Sequence, residues 1–122
     1  MKLPGPDHPI VIAPTKGRVV VRFAGRTVVD TTHALTLNEA SYPGVQYVTR
    51  ADTRMDLLQP SPRKTQCPYK GEASYFSVIS GDKTAEDAVW SYEKPYPAMQ
   101  EIAGRLAFYP DKVEIIIVAP AD

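Results

Sequence analysis

The segment Gly71-Glu72-Ala73-Ser74-Tyr75-Phe76-Ser77-Val78-Ile79-Ser80 has the clearest β-strand pattern in this sequence. Its side chains alternate between two sets, one of Ala73, Tyr75, Ser77 and Ile79 and the other of Ser74, Phe76 and Val78. Successive side chains of a strand point to opposite faces, and branched or aromatic residues suit a pleated surface. The segment therefore predicts a strand, closed by a turn at Gly81-Asp82-Lys83.

Strand patterns recur on both sides of this segment, among 12 prolines that disfavour long helices. A hairpin is predicted for Arg18–Phe23 and residues 26–30, with its turn at Ala24-Gly25. Val113, Ile115 and Ile117 alternate with other apolar residues, so the strand over residues 113–118 is predicted to be central in its sheet. The other predicted strands cover residues 34–37, 45–49, 89–92 and 106–109.

Three further segments complete the prediction. Residues 98–103 have the composition of a short helix, and Gly104 can end it. Residues 59–64 contain two prolines and a serine, which predicts a loop. Residues 52–58 fit either a strand or a helical turn. The sequence thus predicts a mainly β fold with one short helix, in a single domain over residues 1–122.

Composition and charge narrow the classes of partner. The 122 residues include 14 basic and 14 acidic ones, and this balance gives no long-range attraction toward polyanions. Nucleic acid is therefore not an expected partner. No stretch reaches the roughly 18 apolar residues of a membrane span, and the first residues lack the apolar run of a signal peptide. We expect a cytoplasmic protein without a membrane partner.

The only cysteine lies in the motif Thr65-Gln66-Cys67-Pro68-Tyr69-Lys70-Gly71. The thiolate is the reactive form of cysteine, and Arg63, Lys64 or Lys70 would favour it if one of them pointed toward the sulfur. Cys67 and Lys70 are therefore candidate catalytic residues. The alternative is that Cys67 is a small buried hydrophobic residue.

The sequence offers one possible histidine partner for Cys67 and no metal site. His33 could act as a base toward Cys67. A single cysteine excludes an internal disulfide, and His8 and His33 are isolated in the sequence, so we predict no metal site and no cofactor.

Aromatic residues suggest a ligand pocket near Cys67. Tyrosine and tryptophan fix small ligands by stacking and hydrogen bonding, and Trp90 and Tyr92 share one face of a predicted strand. Glu39, Asp52, Arg54 and Asp56 could supply polar groups. The candidate ligand-binding residues are Tyr47, Asp52, Arg54, Tyr69, Lys70, Tyr75, Trp90 and Tyr92. The alternative is that the aromatic residues fill the core and rim of a small β domain.

The order of several motifs resembles the bacterial domain-of-unknown-function family 427, over nearly the whole chain. The motifs are Tyr42-Pro43, Tyr47, Asp52, the cysteine motif continued to Ala73 and Tyr75, Ala88-x-Trp90-x-Tyr92, Pro95, Ile102-Ala103-Gly104 and Phe108-Tyr109. The resemblance implies a β-tent-like fold of two antiparallel sheets that meet at an angle. This architecture is related to that of zinc-ribbon-like chaperones and of the second class of methionine sulfoxide reductases.

The resemblance carries two functional implications. Many β-tent proteins hold zinc with four cysteines, and a chain with Cys67 alone does not carry that site. A nucleotidyltransferase label is also attached to this family. Such enzymes hold magnesium with clustered carboxylates, and the sequence has no Asp-x-Asp or Gly-Ser pattern.

Three functions remain open from the sequence. The first is binding of a small anionic or aromatic metabolite in a Tyr/Trp-lined pocket near Cys67. The second is an enzyme of small-molecule metabolism that uses Cys67 as a nucleophile or redox thiol. The third is a scaffold for protein interaction or homo-oligomerisation.

Overall fold

Residues 1–120, which the computed structural model describes, form three antiparallel sheets. In chain order the strands are β1 (Ile10–Pro14), β2 (Arg18–Phe23), β3 (Arg26–Thr31), β4 (Leu35–Glu39), β5 (Val45–Tyr47), β6 (Leu58–Cys67), β7 (Gly71–Ser80), β8 (Lys83–Ser91), β9 (Ala107–Phe108) and β10 (Glu114–Val118). The sheets have the orders β1-β4-β5, β10-β2-β3 and β6-β7-β8-β9. The predicted mainly β class with antiparallel sheets is confirmed, with three sheets where the resemblance implied two.

The two clearest sequence patterns form the strands that they predict. β2 and β3 make a hairpin whose turn residues, Ala24 and Gly25, have φ angles of 46° and 80°. Positive φ at both central residues gives the turn a twist that matches the strands. β7 has the predicted bounds and pairs with β6 on one side and β8 on the other. β1 was not predicted.

β8 is longer than the predicted strand over residues 89–92, because it begins at Lys83. Its first half is rich in charged residues and lacks an apolar pattern. These residues nevertheless pair with β7, as in Val78 with Ala85 and Ile79 with Thr84. The backbone pairing with a long central strand therefore extends the structure beyond the apolar pattern.

The prediction of a loop at residues 59–64 is wrong, because these residues belong to β6. β6 is the edge of its sheet, where a proline without an N–H is tolerated. The pairing with β7 also shifts register between Ser61 and Lys64, around Pro62. An edge position and a bulge thus accommodate both prolines.

The prediction that residues 113–118 form a central strand is also wrong. β10 lies at the edge of the β10-β2-β3 sheet. Ile116, Ile117 and Val118 retain 37%, 53% and 46% of their surface exposed. Apolar residues on both faces here mark a partly uncovered edge strand instead of a strand buried between two neighbours.

The helical structure consists of short 3-10 segments. Pro97–Ile102 confirms the predicted short helix, and Gly104 follows it at a φ of 69°. In the ambiguous stretch of residues 52–58, Met55–Leu57 forms a 3-10 turn and β6 starts at Leu58. Another 3-10 turn covers Arg50–Asp52.

Two hydrophobic clusters lie on opposite faces of the four-stranded sheet. Val89 and Phe108 face a cluster shared with Val19 and Val21 of β2. Their neighbours in β8 and β9, Trp90 and Ala107, face a second cluster with the β1-β4-β5 sheet. The second cluster is rich in tyrosine and contains the candidate site.

Candidate functional site

A cavity of about 210 Å³ lies between the β1-β4-β5 sheet and the four-stranded sheet. Its walls are formed by Leu37, Glu39, Tyr42, Pro43, Val45, Tyr47, Lys70, Tyr75, Trp90, Tyr92 and Tyr109. Five of the residues predicted from the sequence as a ligand site therefore meet here: Tyr47, Lys70, Tyr75, Trp90 and Tyr92.

Strand register brings the aromatic residues together. Tyr75 of β7 lies directly opposite Trp90 of β8, and Tyr92 follows two residues after Trp90 on the same face. Tyr47 comes from the facing sheet, with its ring perpendicular to Trp90 at a centroid distance of 6.4 Å. Trp90 Nε1 donates a hydrogen bond to the Tyr47 hydroxyl at 3.2 Å. The ring of Tyr109 is tilted by 45° relative to that of Trp90, and the ring centroids are 4.6 Å apart.

Two tyrosine hydroxyls of the wall, together with two residues outside it, form a polar group that we call the hydroxyl cluster: Thr65, Tyr75, Tyr109 and Arg63. The Tyr75 hydroxyl is 2.9 Å from Thr65 Oγ1 and 3.4 Å from the Tyr109 hydroxyl. The Arg63 guanidinium lies 4.9 Å from the centre of the Tyr75 ring.

The pKa values of the two tyrosines move in opposite directions. Burial acts to raise the pKa of Tyr75, but its hydrogen bonds with Thr65 and Tyr109, together with Arg63, hold it below the ordinary value. Burial and the hydrogen bond with Tyr75 raise the pKa of Tyr109 to about 12. Negative charge at the hydroxyl cluster is thus stabilised on the Tyr75 side, next to Arg63.

Lys70, Glu39 and His8 form a series of hydrogen-bonded side chains that begins at another wall of the cavity, and we call it the charged chain. Lys70 is 6% exposed, and its Nζ donates to Glu39 Oε1. The second oxygen of Glu39 is 2.7 Å from His8 Nε2. Burial acts to raise the pKa of Glu39, but the hydrogen bonds from Lys70 and His8 hold it below the ordinary value. Glu39 therefore neutralises the charge of Lys70 inside the fold.

The lowered pKa of Glu39 makes stability depend on acid. The pairing contributes fully above the unfolded-state pKa of about 4.3 and is lost as the pH falls through the lower, folded-state pKa. We expect the urea midpoint of the wild type to fall more steeply below that pH than the midpoint of Glu39→Gln. If the urea midpoints of the two proteins fell equally steeply with decreasing pH, this role would be contradicted. Comparing the two chains cancels the acid dependence of Asp30, Asp52 and Asp56, whose pKa values are also lowered.

Cys67 lies beside the cavity and is not among the residues of its wall. The sulfur is half-buried, packs against the second hydrophobic cluster and lies 3.8 Å from Lys70 Nζ. The other two basic neighbours point elsewhere, since Lys64 donates to Ser74 and Arg63 covers Tyr75. Lys70 is thus the basic residue that reaches Cys67, and its charge is already paired with Glu39.

The remaining predicted residues lie elsewhere. Asp52 and Arg54 line a separate cleft beside β3, where Asp52 accepts hydrogen bonds from Thr31 and Thr49 and Arg54 pairs with Asp56. The structure does not bring either of them into the tyrosine cavity. His33 faces Asp52 at 3.5 Å, which places it in that region and not with Cys67.

Tyr69 stacks on His8 with ring centroids 4.1 Å apart, and it is not part of the cavity wall. Because His8 also contacts Glu39, the Tyr69 ring packs against the end of the charged chain that lies away from Lys70. The sequence analysis did not assign His8 or Tyr109 to the site. The Phe108-Tyr109 motif was a signal for Tyr109, whereas no sequence pattern links His8 to Glu39, 31 residues away.

A family model described as a domain of unknown function (DUF427) matches residues 11–119. The chain belongs to the DUF427 family. The matched segment includes every residue of the cavity wall and the whole hydroxyl cluster, while His8 lies before it. Comparison with curated proteins found no match.

Two features are absent from the part of this DUF427 chain that the structure describes. No three side chains of His, Cys, Asp or Glu within residues 1–120 come together in a way that could hold a metal ion. Across the same residues, no helix has the length and apolar character needed to cross a membrane.

Proposed function

We propose that this DUF427 chain binds a small molecule that carries an aromatic ring and an anionic group in the tyrosine cavity beside Cys67. The observation that supports it is the hydroxyl cluster next to Trp90, where two tyrosine hydroxyls and a guanidinium lie together. Pockets that combine aromatic walls with a few convergent polar groups are typical of small-molecule sites.

The size of the cavity suits a single ring. A protein cavity of about 150 Å³ can hold benzene, and this cavity measures about 210 Å³. Trp90 and Tyr109 provide aromatic faces, and an offset or edge-on contact with such a ring contributes about 0.5–1.5 kcal/mol beyond its buried area. An aromatic ring is therefore a good match for the wall.

Charge favours the hydroxyl cluster over Lys70 as the place for the anionic group. Lys70 is already neutralised by Glu39. Among residues 1–120, no carboxylate lies within ion-pair distance of Arg63. The Tyr75 and Tyr109 hydroxyls of the wall can therefore donate to an incoming anion, and the exposed Arg63 beside Tyr75 adds positive charge without first breaking an internal ion pair.

Binding can be measured by the fluorescence of Trp90, the only tryptophan of the chain and part of the cavity wall. The probes are benzoate, 4-hydroxybenzoate and phenyl phosphate, with cyclohexanecarboxylate as the non-aromatic comparison. We expect the aromatic anions to quench Trp90 with saturation and cyclohexanecarboxylate to bind more weakly. If no aromatic anion causes saturable quenching at millimolar concentration, the proposal is wrong.

Tyr75→Phe and Tyr109→Phe are expected to weaken the binding of 4-hydroxybenzoate by about tenfold each. Each removes a hydroxyl but keeps the ring, and a hydrogen bond to a charged group contributes about 1.5 kcal/mol or more. The matched control is Tyr96→Phe, which removes a hydroxyl that accepts from Gln66 and lies outside the cavity wall. Fluorescence titration of the three variants checks the effect, and a loss as large in Tyr96→Phe would contradict it.

The contact between Lys70 Nζ and Cys67 Sγ at 3.8 Å supports a second candidate, an enzyme that uses the thiol. The two functions differ in what Cys67→Ser does. For a binding protein we expect this variant to keep the affinity for 4-hydroxybenzoate within about twofold, because Cys67 is outside the cavity wall. We also expect iodoacetamide to alkylate Cys67 no faster than an ordinary thiol at neutral pH. Fast alkylation together with lost binding in Cys67→Ser would favour the enzyme.

A further inference from the structure

An apolar groove of about 480 Å³ opens beside the tyrosine cavity. The two spaces share four wall residues, which are Tyr42, Pro43, Val45 and Trp90. The cavity and the groove therefore adjoin each other at these four residues.

The far wall of the groove is an uncovered part of the β10-β2-β3 sheet. Ile117 of β10 pairs with Val19 of β2, so both side chains point to the same face. Val19 is fully buried, whereas Ile117, on the edge strand and on the wall of the groove, keeps 53% of its surface exposed. Tyr42 at the entrance is 66% exposed. Apolar surface of this kind is available to a ligand.

The two spaces differ in size and in the chemistry of their walls. Small-molecule sites usually measure about 300–1,000 Å³. The cavity, at about 210 Å³, is smaller than this range, and the groove, at about 480 Å³, is within it. The polar groups lie in the cavity, whereas the groove offers side chains such as Val45, Ile115 and Ile117.

We infer that the ligand is amphipathic: an aromatic acid whose ring and anionic group occupy the tyrosine cavity, and whose apolar extension lies in the groove against Ile117. This inference rests on the proposed function, which supplies the head group. It adds the chemical class of the rest of the molecule, an alkyl or aryl chain attached to the ring on the side away from the anion.

A homologous series of probes tests the extension. The wild-type chain is titrated with 4-hydroxybenzoate and with 4-ethoxy-, 4-butoxy- and 4-hexyloxybenzoate, and binding is followed by Trp90 fluorescence. Burial of one methylene in apolar surroundings corresponds to about 0.8 kcal/mol, or about a fourfold gain in affinity. We expect a gain of about twofold to fourfold for each added methylene, until the groove is filled.

Two variants of β10 test whether the alkyl chain of the probe lies in the groove. Ile117→Lys places a charged group in the groove and is expected to abolish the gain with chain length, while the affinity for 4-hydroxybenzoate stays within about twofold. Ile116→Lys adds the same charge to the same strand on the opposite face, outside the groove, and should keep the gain. If Ile117→Lys does not fold, Ile117→Thr keeps the branched side chain that suits a strand and should reduce the gain for each methylene.

Each possible result either supports or overturns the inference. A gain with chain length in the wild type and Ile116→Lys that is lost in Ile117→Lys supports the inference. Binding of 4-hydroxybenzoate without any gain along the series overturns the extension and leaves the proposed function standing. A gain that persists unchanged in Ile117→Lys or Ile117→Thr overturns it as well, since the chain then lies elsewhere. Absence of binding by every probe overturns both.

Discussion

Replacing Lys70 with methionine is expected to lower the free energy of unfolding by about 2–3 kcal/mol. The substitution keeps most of the side-chain volume but removes the cation that Glu39 faces inside the fold. Breaking a buried ion pair from one side typically costs about 3–5 kcal/mol, because the remaining charge is left without compensation. The expected loss is at the lower end, since Glu39 is 19% exposed and keeps its contact with His8. Urea denaturation at neutral pH measures it.

Two further variants separate the ion pair from a general loss of packing. The double variant Lys70→Met with Glu39→Leu removes both charges, and it should recover most of the lost stability, because a buried pair contributes little relative to apolar residues of similar volume. Arg54→Met removes one member of the exposed Arg54–Asp56 pair and should change stability by less than about 1 kcal/mol. A double variant no more stable than Lys70→Met would show that Lys70 acts through something other than Glu39.

Local patterns predict the parts of this fold in which local and tertiary preferences agree. The turn at Ala24-Gly25 and the alternation in β7 both specify their structure within a few residues. β6 and β10 were predicted wrongly because edge and central positions differ in their neighbours in space, which a local pattern does not contain. Prolines in β6 and apolar residues on both faces of β10 are compatible with an edge strand.

The candidate site shows the same division. Tyr75, Trp90 and Tyr92 meet because strand periodicity aligns them, and that periodicity can be recognised in the sequence. The contacts of Glu39 with Lys70 and His8 each span 31 residues, and they depend on how the end of β4 lies against the turn before β7 and the segment before β1. Asp52 was a reasonable polar candidate by residue type, but its oxygen is occupied by the nearby hydroxyls of Thr31 and Thr49.

Replacing Trp90 with alanine is expected to weaken the binding of 4-hydroxybenzoate by more than tenfold and to lower the free energy of unfolding by about 3 kcal/mol. Trp90 forms part of the wall of both the cavity and the groove, so its loss removes the aromatic face that we propose for the ligand ring. Truncating a large aromatic residue in a core costs about 3–5 kcal/mol. The Tyr47 hydroxyl also loses the hydrogen bond from Nε1. Calorimetric titration measures affinity, because the fluorescent residue is absent.

The loss of binding must be separated from the loss of stability. Val89→Ala shortens a fully buried residue next to Trp90 that faces the other hydrophobic cluster. It should lower stability and leave the affinity for 4-hydroxybenzoate within about twofold. Trp90→Phe keeps an aromatic face and loses only the Nε1 donor, so we expect an affinity between those of the wild type and Trp90→Ala. If Val89→Ala weakened binding as much as Trp90→Ala, the affinity would depend on the stability of the sheet and not on a ring stacked against Trp90.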